Sequence, residues 1–172
     1  MQPTKRAVHH SILATLILIA SVQTAPSIGA RAEGVSGFTI GGQVQRPQHV
    51  TTDDLEKFDK TEVSVSYMTG HGHEAGSYSG ILLWTLLSKA ELKNGPEKGA
   101  LLRHIILVTG RDGYAVAISS GELAPEFENK SVIIATQKDG KPLSQEDGVR
   151  LIIPGDKHGG RAVRDVVRID VQ

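Results

Sequence analysis

Two stretches of this sequence carry side chains whose types and spacing could do chemistry. In the first, His71-Gly72-His73-Glu74, three groups able to ligate a metal fall within four residues. A His-x-His pair makes a metal site only with further ligands at suitable spacing. The segment therefore reads as a solvated loop, and no metal is assigned. The run Gly70 to Gly76 approaches a dinucleotide fingerprint, but its third glycine comes one residue late and Tyr78-Ser79-Gly80 separates it from the next helix. A pyrophosphate would find no helix N-terminus behind those glycines. In the second stretch, Arg150, Lys157, His158, Arg161, Arg164 and Arg168 gather positive charge. Gly155-Asp156-Lys157-His158-Gly159-Gly160-Arg161 lies there as a loop whose small residues let a ligand approach the backbone. Its Arg and Lys donors suit an anionic or carbonyl-rich ligand. An ordinary solvent face on a terminal strand explains the same charges equally well. No Gly-x-Ser-x-Gly elbow or phosphate loop is present, and no residue is assigned a catalytic role.

The elements that must position these residues are mostly short strands. Phe38 to Val44 is β-like, and its Gly41-Gly42 suggests a bulge or a close backbone approach. Thr51, with Asp54 three residues on, caps a brief helix. From Thr61 to Tyr67 the chain alternates, with Val63, Val65 and Tyr67 on one face and Glu62, Ser64 and Ser66 on the other. Gly70 to Gly80 reads as a glycine-rich loop, and Ile81 to Leu92, apolar nearly all round, as a buried helix. Leu102 to Val108, Tyr114 to Ile118, Ser131 to Thr136 and Arg150 to Ile153 are predicted strands. Asp139-Gly140 marks a hairpin. In the last strand Val163, Val167, Ile169 and Val171 alternate with Arg164, Arg168 and Asp170, while Val166 departs from the polar face toward a second layer. The fold class is α+β, dominated by a mixed or antiparallel sheet.

Composition narrows the function. Lys5 and Arg6, the apolar run Ile12 to Val22 and the small-residue site Ala30-Arg31-Ala32 form a tripartite export signal. The apolar run is too short to span a bilayer. Residues 1–32 are therefore expected to be a cleaved signal peptide, and residues 33–172 a single periplasmic domain. Cleavage removes Lys5, Arg6 and Arg31 and no acid, leaving 16 basic against 19 acidic residues and a net charge of −3. Nucleic-acid binders carry a marked basic excess instead. The chain contains no cysteine, so thiolate metal sites, thiol catalysis and disulfides are all excluded. A domain of this size buries roughly two-thirds of its unfolded surface, enough to hold itself by its core.

The order of several short pieces then carries a resemblance. Gly41-Gly42-x-Val44 leads to Pro47, followed by Tyr78-Ser79-Gly80-Ile81-Leu82-Leu83, Asp112-Gly113-Tyr114, Ile134-Ala135 and Asp139-Gly140-Lys141-Pro142-Leu143. Gly148-Val149-Arg150-Leu151, Pro154-Gly155-Asp156 and Gly160-Arg161-Ala162-Val163 complete the series. Together these resemble the oxidoreductase molybdopterin-binding domain, the sulfite oxidase-like fold, over essentially the whole chain after the signal. The resemblance implies a mixed, mainly antiparallel sheet with short helices, and a site for the pterin of a molybdenum cofactor. In enzymes of the family a cysteine thiolate binds the metal after a strand; that position falls here at about Met68, a thioether. The family's histidine before the Gly…Arg segment is replaced by Asp147, whereas Arg150 and Arg161 are retained.

The resemblance therefore implies a pterin pocket without molybdenum redox chemistry. Small, exported, cysteine-free relatives look like pterin-binding proteins that report pterin levels to membrane enzymes handling cyclic-dinucleotide messengers such as cyclic-di-GMP. Asp112 or Asp156 can accept the 2-amino and N3–H donors of a free pterin. Arg150 or Arg161 can donate to O4, and Tyr78, Tyr114 or Trp84 can stack on the ring. Each has a plainer use: Trp84 as core, Tyr114 as cover for a sheet, Asp112 as part of the turn with Gly113. A molybdopterin-dependent oxidoreductase is the alternative function, and a ligand-free adaptor domain the third. The export signal predicts a mature N-terminus near Glu33 in the periplasmic fraction; intact-mass measurement finding Met1 on cytoplasmic protein would contradict it.

Overall fold

In the computed structural model, which describes Met1 and residues 37–172, ten strands form two five-stranded sheets accompanied by three short helices. The first sheet runs β2 (Gln48–Thr51), β1 (Gly37–Gly42), β10 (Val166–Val171), β5 (Ile105–Gly110) and β6 (Ala115–Ser119). Its β1–β10 pair is parallel and the others antiparallel. The second sheet runs β3 (Thr61–Thr69), β4 (Gly72–Leu82), β7 (Ile133–Lys138) and β8 (Lys141–Pro142), with β9 (Arg150–Ile152) also paired to β7. The helices are α1 (Thr52–Leu55), α2 (Leu83–Ala90) and α3 (Ser120–Leu123). This is the expected α+β class with mainly antiparallel sheets. Apart from Met1, the expected signal peptide and its cleavage site lie outside the described residues. Among the described residues no helix is long and apolar enough to cross a membrane.

Strand periodicity builds the core. Phe38 and Ile40 of β1, Ile106 and Val108 of β5, Val116 and Ile118 of β6, and Ile169 and Val171 of β10 point the same way. They meet Ile81, Ile134 and Leu151 of the second sheet and Leu83, Leu86 and Leu87 of α2. The second sheet is apolar on its other face as well, where Val63, Val65, Tyr67, Tyr78, Ile133, Ala135 and Ile152 form a separate buried cluster. An apolar face must be covered. Here the chain leaving β9 returns to the outer edge of β3: the Met68 N–H donates to Lys157 O at 3.0 Å, and Met68 pairs with His158 in a parallel bridge. The two sides of the sheet are thereby drawn together, and it curls around its second cluster.

Local signals with local causes are realised. Thr51 and Asp54 form a reciprocal cap on α1, each side chain accepting from the other's N–H at 3.1 Å. Asp139 and Gly140, at φ 50° and 75°, make the turn between β7 and β8. The run Gly70 to Gly80 is not a loop. After a tight turn it is β4, paired with β3 from Thr61↔Gly80 to Thr69↔Gly72 and with β7 on its other edge. Pairing on both edges overrides the poor strand propensity of its glycines. The helix accordingly starts at Leu83, because Ile81 and Leu82 complete β4. Residues Ala100–Arg103 form a 3-10 turn, so β5 begins only at Ile105. In β10 the register shifts between Val166 and Arg168; Val166 enters the core and Val167 is left half-buried, reversing the expected alternation there.

Gly80 shows how closely the sheet is built. A Cβ there would lie 2.1 Å from Ile134 O and 2.5 Å from the Ala135 Cα, both backbone atoms that cannot swing aside. Gly80→Ala is expected to destabilise the protein by about 2–3 kcal/mol, whereas Gly70→Ala, with nothing within 4 Å, should be near neutral. Urea denaturation of both variants checks this.

Candidate functional site

Inside the curled sheet the strand period brings four polar side chains to the enclosed face. The register pairs Tyr67 with Glu74, Tyr78 with Lys138 and Ala135 with Arg150. Glu74 Oε1 accepts from Tyr78 OH at 2.6 Å, Lys138 Nζ at 3.0 Å and Arg150 Nη1 at 3.3 Å. Arg150 Nη1 also donates to Tyr78 OH at 2.9 Å. Tyr78 is wholly buried and Arg150 only 5 % exposed. The guanidinium and the Lys138 ammonium each lie 5.3 Å from the centre of the Tyr78 ring. Burial pushes the Glu74 carboxyl up, but the Tyr78 hydrogen bond and the two cations outweigh it and hold the group at about 2. Burial and the bond to Glu74 push the Tyr78 phenol up. The Tyr67 hydroxyl and Arg150 Nε are buried without a hydrogen-bond partner.

A second group forms at the loop after β9. Arg161 forks onto Asp156, Nε to Oδ2 at 2.9 Å and Nη2 to Oδ1 at 2.6 Å, and its Nη1 donates to Glu122 at 3.2 Å. The Asp156 bond pushes the Arg161 guanidinium further up, so it stays charged. Tyr114, half-exposed, donates from its hydroxyl to Gly160 O at 2.5 Å. Gly159 lies against the Tyr67 ring, which separates this loop from the enclosed network.

The seven residues expected to surround a pterin thus divide. Arg161, Asp156 and Tyr114 gather at the loop, and Tyr78 and Arg150 lie in the enclosed network. Asp112 accepts from the Tyr114 N–H at 2.9 Å and serves its turn, while Trp84 packs on the main core from α2. Within His71-Gly72-His73-Glu74 the metal-binding groups also part, since alternation sends His73 outward and Glu74 inward.

A hollow among the described residues lies elsewhere. It measures about 740 Å³ and is lined by Glu56, Arg111, Thr136, Ser144, Gly148 and Asp165, among others. Arg111 forks onto Asp165, Nε to Oδ2 at 2.5 Å and Nη2 to Oδ1 at 3.3 Å. Asp165 sits at φ 42°, a strained conformation for a residue with a side chain. It is held there by its N–H to Asp147 O at 2.8 Å and by the Arg111 N–H to its own carbonyl at 2.9 Å. Opposite it, Gly148 (φ 53°) is required, since a Cβ would come within 2.4 Å of Asp165 Oδ1 and 2.9 Å of its Cα. The buried Thr136 hydroxyl has no partner. A hollow of about 360 Å³, shared with Asp112, Glu146 and Arg164, adjoins it across Arg111 and Asp165. Sequence reading missed Arg111, Thr136 and Asp165. The one available signal was Val166, whose break in the alternation marks the irregular backbone beside Asp165.

Because Glu74 is held at about 2 against an ordinary 4.5, its pairing stabilises the fold above about pH 4.5, and that stability is lost as pH falls toward 2. Glu74→Gln should cost on the order of 2–3 kcal/mol at pH 7. The gap from the parent should close on acidification, as denaturant titrations at pH 7 and pH 3 would reveal.

Comparison with known proteins fits this architecture. The family model described as oxidoreductase molybdopterin binding domain matches residues 36–172. Among solved structures the chain is similar to the sulfane dehydrogenase SoxCD from Paracoccus pantotrophus, at 21% identity and a TM-score of 0.65. The match covers 78% of this chain and 37% of that one. At that identity the likeness shows the fold alone, a sulfite oxidase-like one. No curated protein matches the sequence. The family match runs from just before β1 to beyond β10, and the chain belongs to the oxidoreductase molybdopterin-binding domain family.

Proposed function

We propose that this protein is an exported pterin-binding protein that does not carry out molybdenum redox chemistry. The observation that carries this reading is a family fold with a built cavity in a chain without any cysteine. The two halves of a molybdenum cofactor fare differently against these residues. The metal half needs an anionic sulfur; Met68, at about the family's cysteine position, offers only a neutral thioether. No step is therefore derived through molybdenum.

The pterin half fits. A hollow of about 740 Å³ lies within the range of small-molecule sites, roughly 300–1,000 Å³. A pterin edge presents a 2-amino and N3–H donor pair beside the O4 acceptor. Asp165 supplies the carboxylate that accepts a donor pair, Arg111 supplies donors for O4, and the Thr136 hydroxyl is unspent. Whereas Arg111 and Asp165, bonded to each other, line this hollow, Arg150 and Arg161, assigned to O4 by the resemblance, do not line it and bond to Glu74, Tyr78, Asp156 and Glu122. On this reading they position the walls: Arg150 anchors β9, whose preceding residues Gly148 and Val149 line the hollow. Periplasmic location and a membrane cyclic-dinucleotide enzyme as recipient of the pterin signal complete the proposal. The family match favours a molybdopterin-dependent oxidoreductase as the second reading.

Mass spectrometry and metal analysis of protein purified from the periplasm separate the two. The expected result is bound pterin and no stoichiometric molybdenum; about one molybdenum per chain with oxidoreductase turnover would establish the second reading instead. In calorimetry with oxidised and reduced pterins, Arg111→Ala should lose a charge-assisted bond of about 1.5–3 kcal/mol. That corresponds to roughly 10- to 150-fold in affinity. Arg168→Ala, exposed on the other side of β10 and paired with Asp170, should bind like the parent. If the parent binds no pterin, the adaptor reading takes its place.

A further inference from the structure

The curling of the second sheet creates a row of three side chains that no stretch of sequence contains. Met68 stands directly opposite His73 across the β3–β4 pair and, on its other side, beside His158 in the parallel bridge. Residues opposed in an antiparallel pair, as Met68 and His73 are, have Cβ atoms about 4.5–5.5 Å apart and project to one face. Adjacent strands lie only about 4.8 Å apart. His73, Met68 and His158 therefore form a line across three chain segments with the thioether in the middle, and all three are exposed. Met68 is 49 % exposed, with no packing reason to sit at the surface. Ser66 Oγ lies 2.9 Å from His73 Nε2. With the serine accepting from Nε2–H, the ring is oriented and Nδ1 keeps a free lone pair, the arrangement in which a histidine ligates best.

The geometry points to a surface site for a soft monovalent metal ion, copper(I) by chemistry, held by His73, Met68 and His158. Among the described residues no three His, Cys, Asp or Glu side chains converge on one point, so a harder divalent ion lacks a comparable site. A thioether flanked by two neutral imidazoles instead selects copper(I). The three ligands bring no charge of their own, which suits an ion of single charge. The side chain that disqualifies the chain from binding molybdenum through a thiolate is the one that makes this set soft. The inference is independent of pterin binding.

The test uses the folded protein under ascorbate, with copper(I) competed against a chromogenic chelator and silver(I) as a redox-inert probe. The parent is expected to hold about one copper(I) per chain. Met68→Leu, His73→Ala and His158→Ala should each weaken retention at least tenfold, as the loss of an outer-sphere partner alone costs about that much. His49→Ala, exposed on β2 in the other sheet, should leave it unchanged. Zinc(II) should bind weakly and indifferently to Met68→Leu. Copper(I) retention by Met68→Leu equal to the parent's overturns the proposal, as does a parent holding no more copper(I) than the triple variant. All three side chains are exposed, so circular dichroism is expected to show the variants folded; should one be unfolded, the silver(I)-induced shift of the His73 and His158 ring resonances in the parent decides alone, and its absence overturns the site.

Discussion

Three strands of the second sheet meet at one carboxylate. Glu74 belongs to β4, Lys138 to β7 and Arg150 to β9, and a single oxygen of Glu74 takes hydrogen bonds from both cations and from Tyr78. Without the acid, a guanidinium only 5 % exposed would lie against an aromatic ring with no counter-charge. Removing one member of such a buried pair costs far more than the pair contributes. The chain on either side of β9 is placed in part by this arrangement. Gly148 and Val149 enter β9 from the wall of the large hollow, and the segment after β9 returns to β3. Both candidate binding regions therefore border on segments that this network helps to hold.

What was legible in the sequence was what neighbouring residues decide. The alternation of Val63, Val65 and Tyr67, the Thr51–Asp54 cap and the Asp139-Gly140 turn have causes within a few residues, and each is present in the structure. The strand β4 was hidden because its stability comes from partners on both edges rather than from its glycines. The site was less legible for a related reason. The positive cluster near the C-terminal end looked like a basic surface in search of an anion. In the fold Arg150, Arg161 and Arg168 find acids of the chain itself: Glu74, 76 residues away, Glu122 and Asp156, and Asp170. The 76 residues to Glu74 and the 39 to Glu122 cannot be read from a motif.

As the family resemblance implies, the chain carries a thioether near residue 68 where the enzymes carry a thiolate, and Asp147 where they carry a histidine. A thiolate carries charge and a thioether is neutral, though both are soft ligands. The chain's own frame holds two sheets, a strained aspartate beside an obligatory glycine, and a hollow of ligand size. The walls of the hollow come from loops around β7, β9 and β10, whereas residue 68 lies near the end of β3.

The place of β10 has a consequence for how the chain comes together. It is the latest of the described strands in sequence, yet it is flanked by β1 and β5 in the middle of the first sheet. Until residues 166–171 are available, β1–β2 and β5–β6 are two separate hairpin-like pieces with no hydrogen-bonded strand between them. Isolated two-stranded pieces are marginal in water. The first sheet can therefore close only after nearly the whole domain has been synthesised, a late, non-local step of the kind that slows folding. Until β10 arrives, β1 and β5 each keep an unpaired edge, the kind of surface on which chains pair wrongly with one another.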